Sequence, residues 1–148
     1  MLVDTELLLT ELEEYIKQYN DTIYMGIVSH IGAWPSVVYD VKRICELFRK
    51  YNIISFIDAA HAMGQINVDL SDINCDIWLA NGHKWFFSSF SSVMYVNKTY
   101  QDIIYPPIIS TRGVSNGFYN RFGYQGTMSY DLWLSLKAGM EFREFYGE

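Results

Sequence analysis

Two short stretches of the sequence hold residues able to do acid–base or nucleophilic chemistry. In Asp58-Ala59-Ala60-His61-Ala62-Met63-Gly64 a carboxylate is followed three positions later by an imidazole. In Asn81-Gly82-His83-Lys84-Trp85 an amide and an imidazole precede an amine. Taken singly, each has an ordinary explanation. An Asp ending a strand is often a turn or cap residue, and a lone histidine is often a half-buried, hydrogen-bonded one. The combination points further. Each stretch follows a strongly apolar run, Ile53 to Ile57 and Asp76 to Ala80, and an unpaired charge beside such a run is costly unless something compensates it.

Residues of this kind must be positioned by regular elements. From Thr5 to Tyr19, Leu8, Leu12, Tyr15, Ile16 and Tyr19 recur at helical spacing with glutamates opposite, which predicts an amphipathic helix. Thr22 to Val28 is β-branched and aromatic and reads as a strand. After Gly32 and Pro35, Val41, Ile44, Cys45 and Phe48 form a helical stripe behind Asp40 as N-cap. Ile53 to Ile57 is a second short strand. Strand, helix and strand make a right-handed βαβ unit with parallel strands, so the fold class is α/β, a mostly parallel sheet with flanking helices. Asp76 to Ala80 and Ser92 to Val96 are two further strands, Ser110 to Gly126 reads as a long loop, and Leu132, Leu136, Met140 and Phe145 mark a closing helix. In open α/β sheets reactive groups gather where loops leave the carboxyl ends of the strands, which is where both stretches fall.

Composition excludes several classes. The chain has 148 residues, the size of one domain. It is 50% hydrophobic and 17% aromatic but only 19% charged, so part of its apolar surface is expected to meet another segment or subunit. A net charge of −6 without a Lys/Arg cluster argues against nucleic acid as a partner. No apolar run approaches the roughly twenty residues of a membrane span. The start lacks the basic and apolar pattern of a secretion signal. Cys45 and Cys75 have no CxxC spacing; a reducing, cytoplasmic location is expected. The signatures of dinucleotide binding, P-loop phosphate binding and zincin chemistry are missing. His30, His61 and His83 lack acidic or thiolate neighbours at ligand spacing, so no metal site is expected.

The run FIDAAHAMGQINVDL, then DIWLANGHKW and later FGYQGT, resembles in order and spacing the class V aminotransferase family of fold-type I enzymes that use pyridoxal 5′-phosphate (PLP). It is most similar to the isopenicillin N epimerase-like and cysteine desulfhydrase-like branch. Ser29-His30-Ile31 fits the same pattern, and the similarity runs from about Tyr24 to Phe145.

The resemblance implies roles that agree with chemical need. Lys84 is the expected Schiff-base lysine and proton shuttle, which requires an amine with an available lone pair, helped by desolvation and nearby positive charge. Asp58 is expected to pair with the pyridinium nitrogen and keep the ring an electron sink. His61 is expected near the ring and its phenolic oxygen, with its tautomer open. Asn81 and His83 match positions that donate to the cofactor phosphate, with Gly82 permitting a tight turn between them. Thr127 matches a position that reaches the phosphate of the neighbouring subunit, which implies a homodimer with shared sites. The implied reaction is PLP-dependent chemistry on an amino acid, cysteine or a derivative of it, of C–S lyase or epimerase type, with transamination open. The alternative is a non-catalytic homologue that serves as a dimerising or PLP-binding scaffold.

Departures from the family pattern are also legible. After the lysine the family continues with a small residue, Pro, a basic residue and Gly, where this chain has Phe86-Phe87-Ser88-Ser89-Phe90-Ser91. Met128 stands where a basic residue often follows Gly-Thr. Family members are also much longer, so residues 1–148 are expected to be a partial large, PLP-binding domain, without the N-terminal phosphate loop and the C-terminal small domain. Arg112 and Arg121 are candidate anion contacts, although an exposed loop arginine is usually just solvated. Both cysteines read as packing residues, Cys45 on the helical stripe and Cys75 before a strand.

Overall fold

The computed structural model describes residues 4–112, 117–123 and 126–147. Helix α1 spans Thr5–Tyr19, capped by Asp4, whose side chain accepts from the Leu7 N–H at 3.1 Å. Strand β1 (Met25–Ser29) starts later than the sequence suggests. The residues before it instead form a 3₁₀ turn, Asn20–Thr22, in which the Thr22 hydroxyl donates to the Tyr19 carbonyl at 2.8 Å. Helix α2 (Val41–Lys50) begins behind Asp40, whose carboxylate accepts from the Arg43 N–H at 3.2 Å. Its four stripe residues, Val41, Ile44, Cys45 and Phe48, are all buried.

Strand β2 (Ile54–Asp58) runs parallel to β1, with Ser29 opposite Asp58. After the short helix α3 (Leu70–Ile73), capped by Asp69, comes β3 (Ile77–Asn81), parallel to β2. Strand β4 (Ser92–Val96) reverses and pairs antiparallel to β3, with Asn81 opposite Ser92. The sheet order is β1-β2-β3-β4. The expectation of an α/β fold with a mostly parallel sheet is met.

Two apolar clusters hold this layer together. Ile16 of α1, Ile44 and Phe48 of α2 and Ile53 form one. Val41, Cys45, Ile57, Ala59, Ala62, Trp78 and Ala80 belong to the other, directly beneath the strand ends. Each fully buried Ile or Phe side chain contributes about 1.5–3 kcal/mol of transfer free energy. Asp76 ties β2 to β3 by accepting from the Ser55 N–H and hydroxyl, both at 2.8 Å.

Beyond β3 lie α4 (Gly82–Trp85) and, after β4, α5 (Lys98–Gln101). The segment read as a loop from Ser110 to Gly126 contains a helix, α6 (Phe118–Gly123). Phe118 and Phe122, one turn apart, stack with centroids 4.7 Å apart, and an aromatic i,i+4 pair of this kind supports a short helix. Residues 113–116, 124 and 125 lie outside the described residues, and with them Tyr124 and Gln125 of the FGYQGT motif.

The closing helix α7 (Asp131–Phe145) crosses the segment after α4. Gly139 makes this approach possible, since a Cβ there would overlap the Phe86 carbonyl. Much apolar surface stays uncovered: Trp133 is 50% exposed, Leu134 70% and Phe145 84%, as the composition led us to expect.

Candidate active site

Three parallel strands end at one rim, and every candidate residue of the first two loops is carried there. Asp58 is the last residue of β2 and Asn81 the last of β3, each one position further into its strand than the apolar runs suggest. The rim is stitched by backbone hydrogen bonds. The His30 N–H donates to the Asp58 carbonyl at 2.8 Å, the Ala59 N–H to the Leu79 carbonyl at 2.7 Å, and the Gly82 N–H to the Ser91 carbonyl at 2.9 Å.

Asp58 is partly buried, and its Oδ1 accepts from the Ala60 N–H at 3.0 Å, so the carboxylate shapes its own turn. His61 follows between Ala59 and Ala62, both fully buried. The turn closes through Ala62 N–H to the Ala59 carbonyl at 2.9 Å and the Gln65 side-chain amide to the His61 carbonyl at 2.6 Å.

Lys84, on α4, is exposed, and its Nζ lies 3.1 Å from His61 Nε2. The lysine of one loop and the histidine of the other therefore meet, which neither stretch announces by itself. Desolvation, expected to assist the amine, is not what surrounds it; an imidazole is.

His83 is half-buried, with its Nδ1 3.1 Å from the Ser91 carbonyl and its ring 5.4 Å from that of Phe90. A carbonyl only accepts, so Nδ1 carries the hydrogen and Nε2 is the nitrogen left for another partner. Asn81 makes no side-chain cap to α4. Trp85 packs half-buried, its indole N–H without an acceptor among the described residues. Thr127 is exposed and lies on the segment before α7.

Two residues that sequence reasoning passed over complete the rim. Ser91 supplies the carbonyl that takes both the Gly82 N–H and the His83 Nδ1–H. Arg143 of α7 donates to the Gly64 carbonyl at 2.6 Å, and its guanidinium lies 5.4 Å from the Phe86 ring centre, so it spans both loops. Hydrogen bonds tie the Ser/Phe-rich stretch: Ser88 and Ser91 hydroxyls are 2.8 Å apart, and the Ser89 N–H donates to the Ser135 hydroxyl at 2.9 Å.

Arg121 corrects an expectation. It is only 5% exposed, lies over the Tyr105 ring at 4.6 Å and donates to the Gln101 carbonyl, so it is not a solvated loop arginine. An apolar groove of about 610 Å³ lined by Phe118, Tyr119, Phe122, Met128, Tyr130 and Trp133 includes none of Asp58, His61 and Lys84. Among the described residues no cluster of His, Cys, Asp or Glu is able to hold a metal ion, and no helix is long and apolar enough to cross a membrane. Burial pushes the Cys45 thiol up to about 11 and the Cys75 thiol up to about 12, as suits packing residues.

Known proteins resemble this chain in sequence and in fold. An L-cysteine desulfhydrase of Arabidopsis thaliana is 31% identical over 124 residues, 82% of this chain and 27% of that protein. An isopenicillin N epimerase of Amycolatopsis lactamdurans is 25% identical over 134 residues, 80% of this chain and 34% of that one. The chain thus spans about a quarter to a third of these relatives. In fold it matches the apo structure of a cysteine desulfurase from Thermococcus onnurineus NA1, with a TM-score of 0.77 over 99% of this chain and 37% of that one, at 24% identity. The aminotransferase class-V profile matches residues 2–142, a stretch that takes in both rim loops and most of α7. The chain therefore belongs to the aminotransferase class-V family, whose enzymes depend on PLP.

Proposed function

We propose that this chain is the lysine-bearing part of a PLP-binding domain, and that the whole protein acts on an amino acid, cysteine or a cysteine derivative, as a C–S lyase or epimerase. The observation that carries the reading is the meeting of Lys84 and His61, 3.1 Å apart, at the rim where Asp58 ends β2.

The donor set at the rim fits the cofactor. Lys84 is an amine able to hold an aldehyde, Asp58 a carboxylate able to hold a protonated ring nitrogen, and His61 a donor for a phenolic oxygen. Asn81 and the free nitrogen of His83 are suited to the phosphate, with Thr127 as a contact from the second copy. The unmatched indole N–H of Trp85 beside the lysine is in keeping with an acceptor-bearing group at this rim. Bound there, PLP supplies an electron sink for a carbanion at the amino acid's α-carbon. The protein's own share is to hold the ring through Asp58 and to carry a proton to and from the α-carbon on Lys84.

The names of the relatives support the substrate class, and the uncovered apolar surface of α7 supports a homodimer. Two free, buried cysteines suit a reducing compartment, and we place the protein in the cytoplasm. A second reading, a dimerising scaffold without turnover, is favoured by one observation: Lys84 is exposed.

Titrating the protein with PLP, reducing with borohydride and mapping peptides by mass tests the site. The expected label lies on Lys84 and is absent from Lys84→Met. A label on another lysine overturns the assignment. Release of sulfide or of a racemised amino acid by the PLP-loaded protein separates the enzyme from the scaffold.

A further inference from the structure

We propose that Phe87 is a positioning residue for Lys84, held in a left-handed backbone conformation by one face of α7; this rests on the reading of Lys84 as the cofactor lysine. Phe86 is the C-cap of the short helix α4, and Phe87, the next residue, has a φ of 52°. Glycine, or sometimes asparagine, ordinarily stands just past a helix end in this conformation, because a Cβ there crowds the following carbonyl. The other non-glycine residues with positive φ among the described residues are Asn52 and Asn74. A phenylalanine at such a point is strained, and the strain persists only where the surroundings impose it.

The surroundings that impose it belong to α7. The ring of Phe142 meets that of Phe87 edge to face, with centroids 5.3 Å apart and planes at 83°. On one side of Phe87, Gly139 lets the helix close on the Phe86 carbonyl; on the other, the Ser135 hydroxyl accepts from the Ser89 N–H at 2.9 Å. Positions 135, 139 and 142 are spaced by four and three, so a single helix face makes all three contacts. Phe87 itself is 72% exposed, so burial of its own side chain does not explain the conformation.

The same face reaches the start of α4. A Cβ on Gly82 would lie 2.7 Å from Leu136 Cδ1. Helix α7 therefore touches α4 on both sides of Lys84, before it at Gly82 and after it at Phe86 and Phe87. Within α4 the end is closed by the Phe86 N–H, which donates to the Gly82 carbonyl at 3.0 Å. Released from α7, Phe87 relaxes to negative φ, this closure opens, and Lys84 leaves its place 3.1 Å from His61.

The test compares Phe87→Ala with Phe87→Gly by amide hydrogen exchange and requires no cofactor. Both variants lose the ring contact, but glycine alone also relieves the strain. The Phe86 amide is expected to exchange several-fold faster in Phe87→Ala than in the wild type and to slow again in Phe87→Gly, while the Ile44 amide of α2, bonded to the Asp40 carbonyl at 3.2 Å, stays unmoved. Equal exchange of the Phe86 amide in the two variants overturns the inference. Phe142→Ala is expected to speed the same amide, and an unmoved amide overturns the inference equally. Should Phe87→Ala not fold, Phe142→Ala stands as the strained protein and Phe142→Ala with Phe87→Gly as the relieved one, read in the same way. With PLP and borohydride, the share of label on Lys84 should fall in Phe87→Ala and recover in Phe87→Gly. A purely packing role gives no such recovery, since glycine removes more contact than alanine. Label on another lysine of the wild type, with the amides behaving as expected, overturns the cofactor reading alone; label on Lys84 with equal amide exchange in the two variants overturns only the role of Phe87.

Discussion

Arg143, near the end of α7, donates to the carbonyl of Gly64 at 2.6 Å across 79 positions of sequence. The same guanidinium lies over Phe86, two residues after Lys84. One side chain thereby links the loop that carries His61 to the loop that carries Lys84. A hydrogen bond from a charged donor is worth about 1.5–3 kcal/mol, and an exposed cation–π contact about 0.5–1 kcal/mol. Arg143→Met is expected to lower stability by about 2 kcal/mol in urea and to weaken PLP binding. An unchanged urea midpoint together with unchanged PLP affinity would count against the link.

The Gly139 crossing makes a prediction whose sign depends on magnitudes. Replacing a helical glycine by alanine ordinarily stabilises by up to about 1 kcal/mol. Here the new methyl meets the Phe86 backbone, and overpacking costs about 1–3 kcal/mol or more. Gly139→Ala should therefore be net destabilising, whereas Gly123→Ala, with nothing within 4 Å of the added carbon, should not be. Thermal midpoints of the two variants check this; a stabilised Gly139→Ala would show that α7 does not approach so closely.

His30 predicts a pH dependence. It is 6% exposed, its Nδ1 has no partner among the described residues, and burial holds its ring below the usual value near 6.5. The shift is downward for a base, so the unfolded chain binds the proton first. The stabilisation from keeping His30 neutral is complete above about pH 6.5 and is lost as pH falls from there toward the lowered folded value. Glu6 and Glu13, lowered by bonds to Arg43 and to Lys50 and Tyr51, act in a separate window below about pH 4.5. Urea midpoints at successive pH values should fall as pH drops below about 6.5 in the wild type and stay flatter in His30→Gln. Identical slopes in both would assign the loss to other groups.

The cysteines predict a silence. With Cys45 pushed up to about 11 and Cys75 up to about 12 by burial, neither thiol is ionised near neutrality. Ellman's reagent at about pH 8 should find no thiol in the folded protein and two after denaturation. Rapid reaction of either in the native state would reopen the question of a cysteine nucleophile.

Much of this was legible in the sequence because it is local. The α1 boundaries, the Asp40 cap and the α2 stripe follow from periodicity and side-chain capping within a few residues. The limits of β2 and β3 slipped by one position and β1 starts three positions later than read, since a strand's ends are set by its neighbours' pairing and not by its own residues. Helix α6 was hidden because part of its support is tertiary: Arg121 is buried against Tyr105 and Gln101, outside the helix. Both loops of the site could be named from motif order, but the Lys84–His61 contact and the Arg143 link could not. They depend on how β2 and β3 are registered and on where α7 returns.

The His61–Lys84 contact has one more consequence. Its two partners sit 23 positions apart on loops that leave neighbouring strands, so the contact exists only while β2 and β3 remain zipped. Anything that parts those strands separates the two side chains at the same moment, even if helices elsewhere persist. The pair is therefore a local gauge of sheet integrity, made or lost with the pairing of two neighbouring strands.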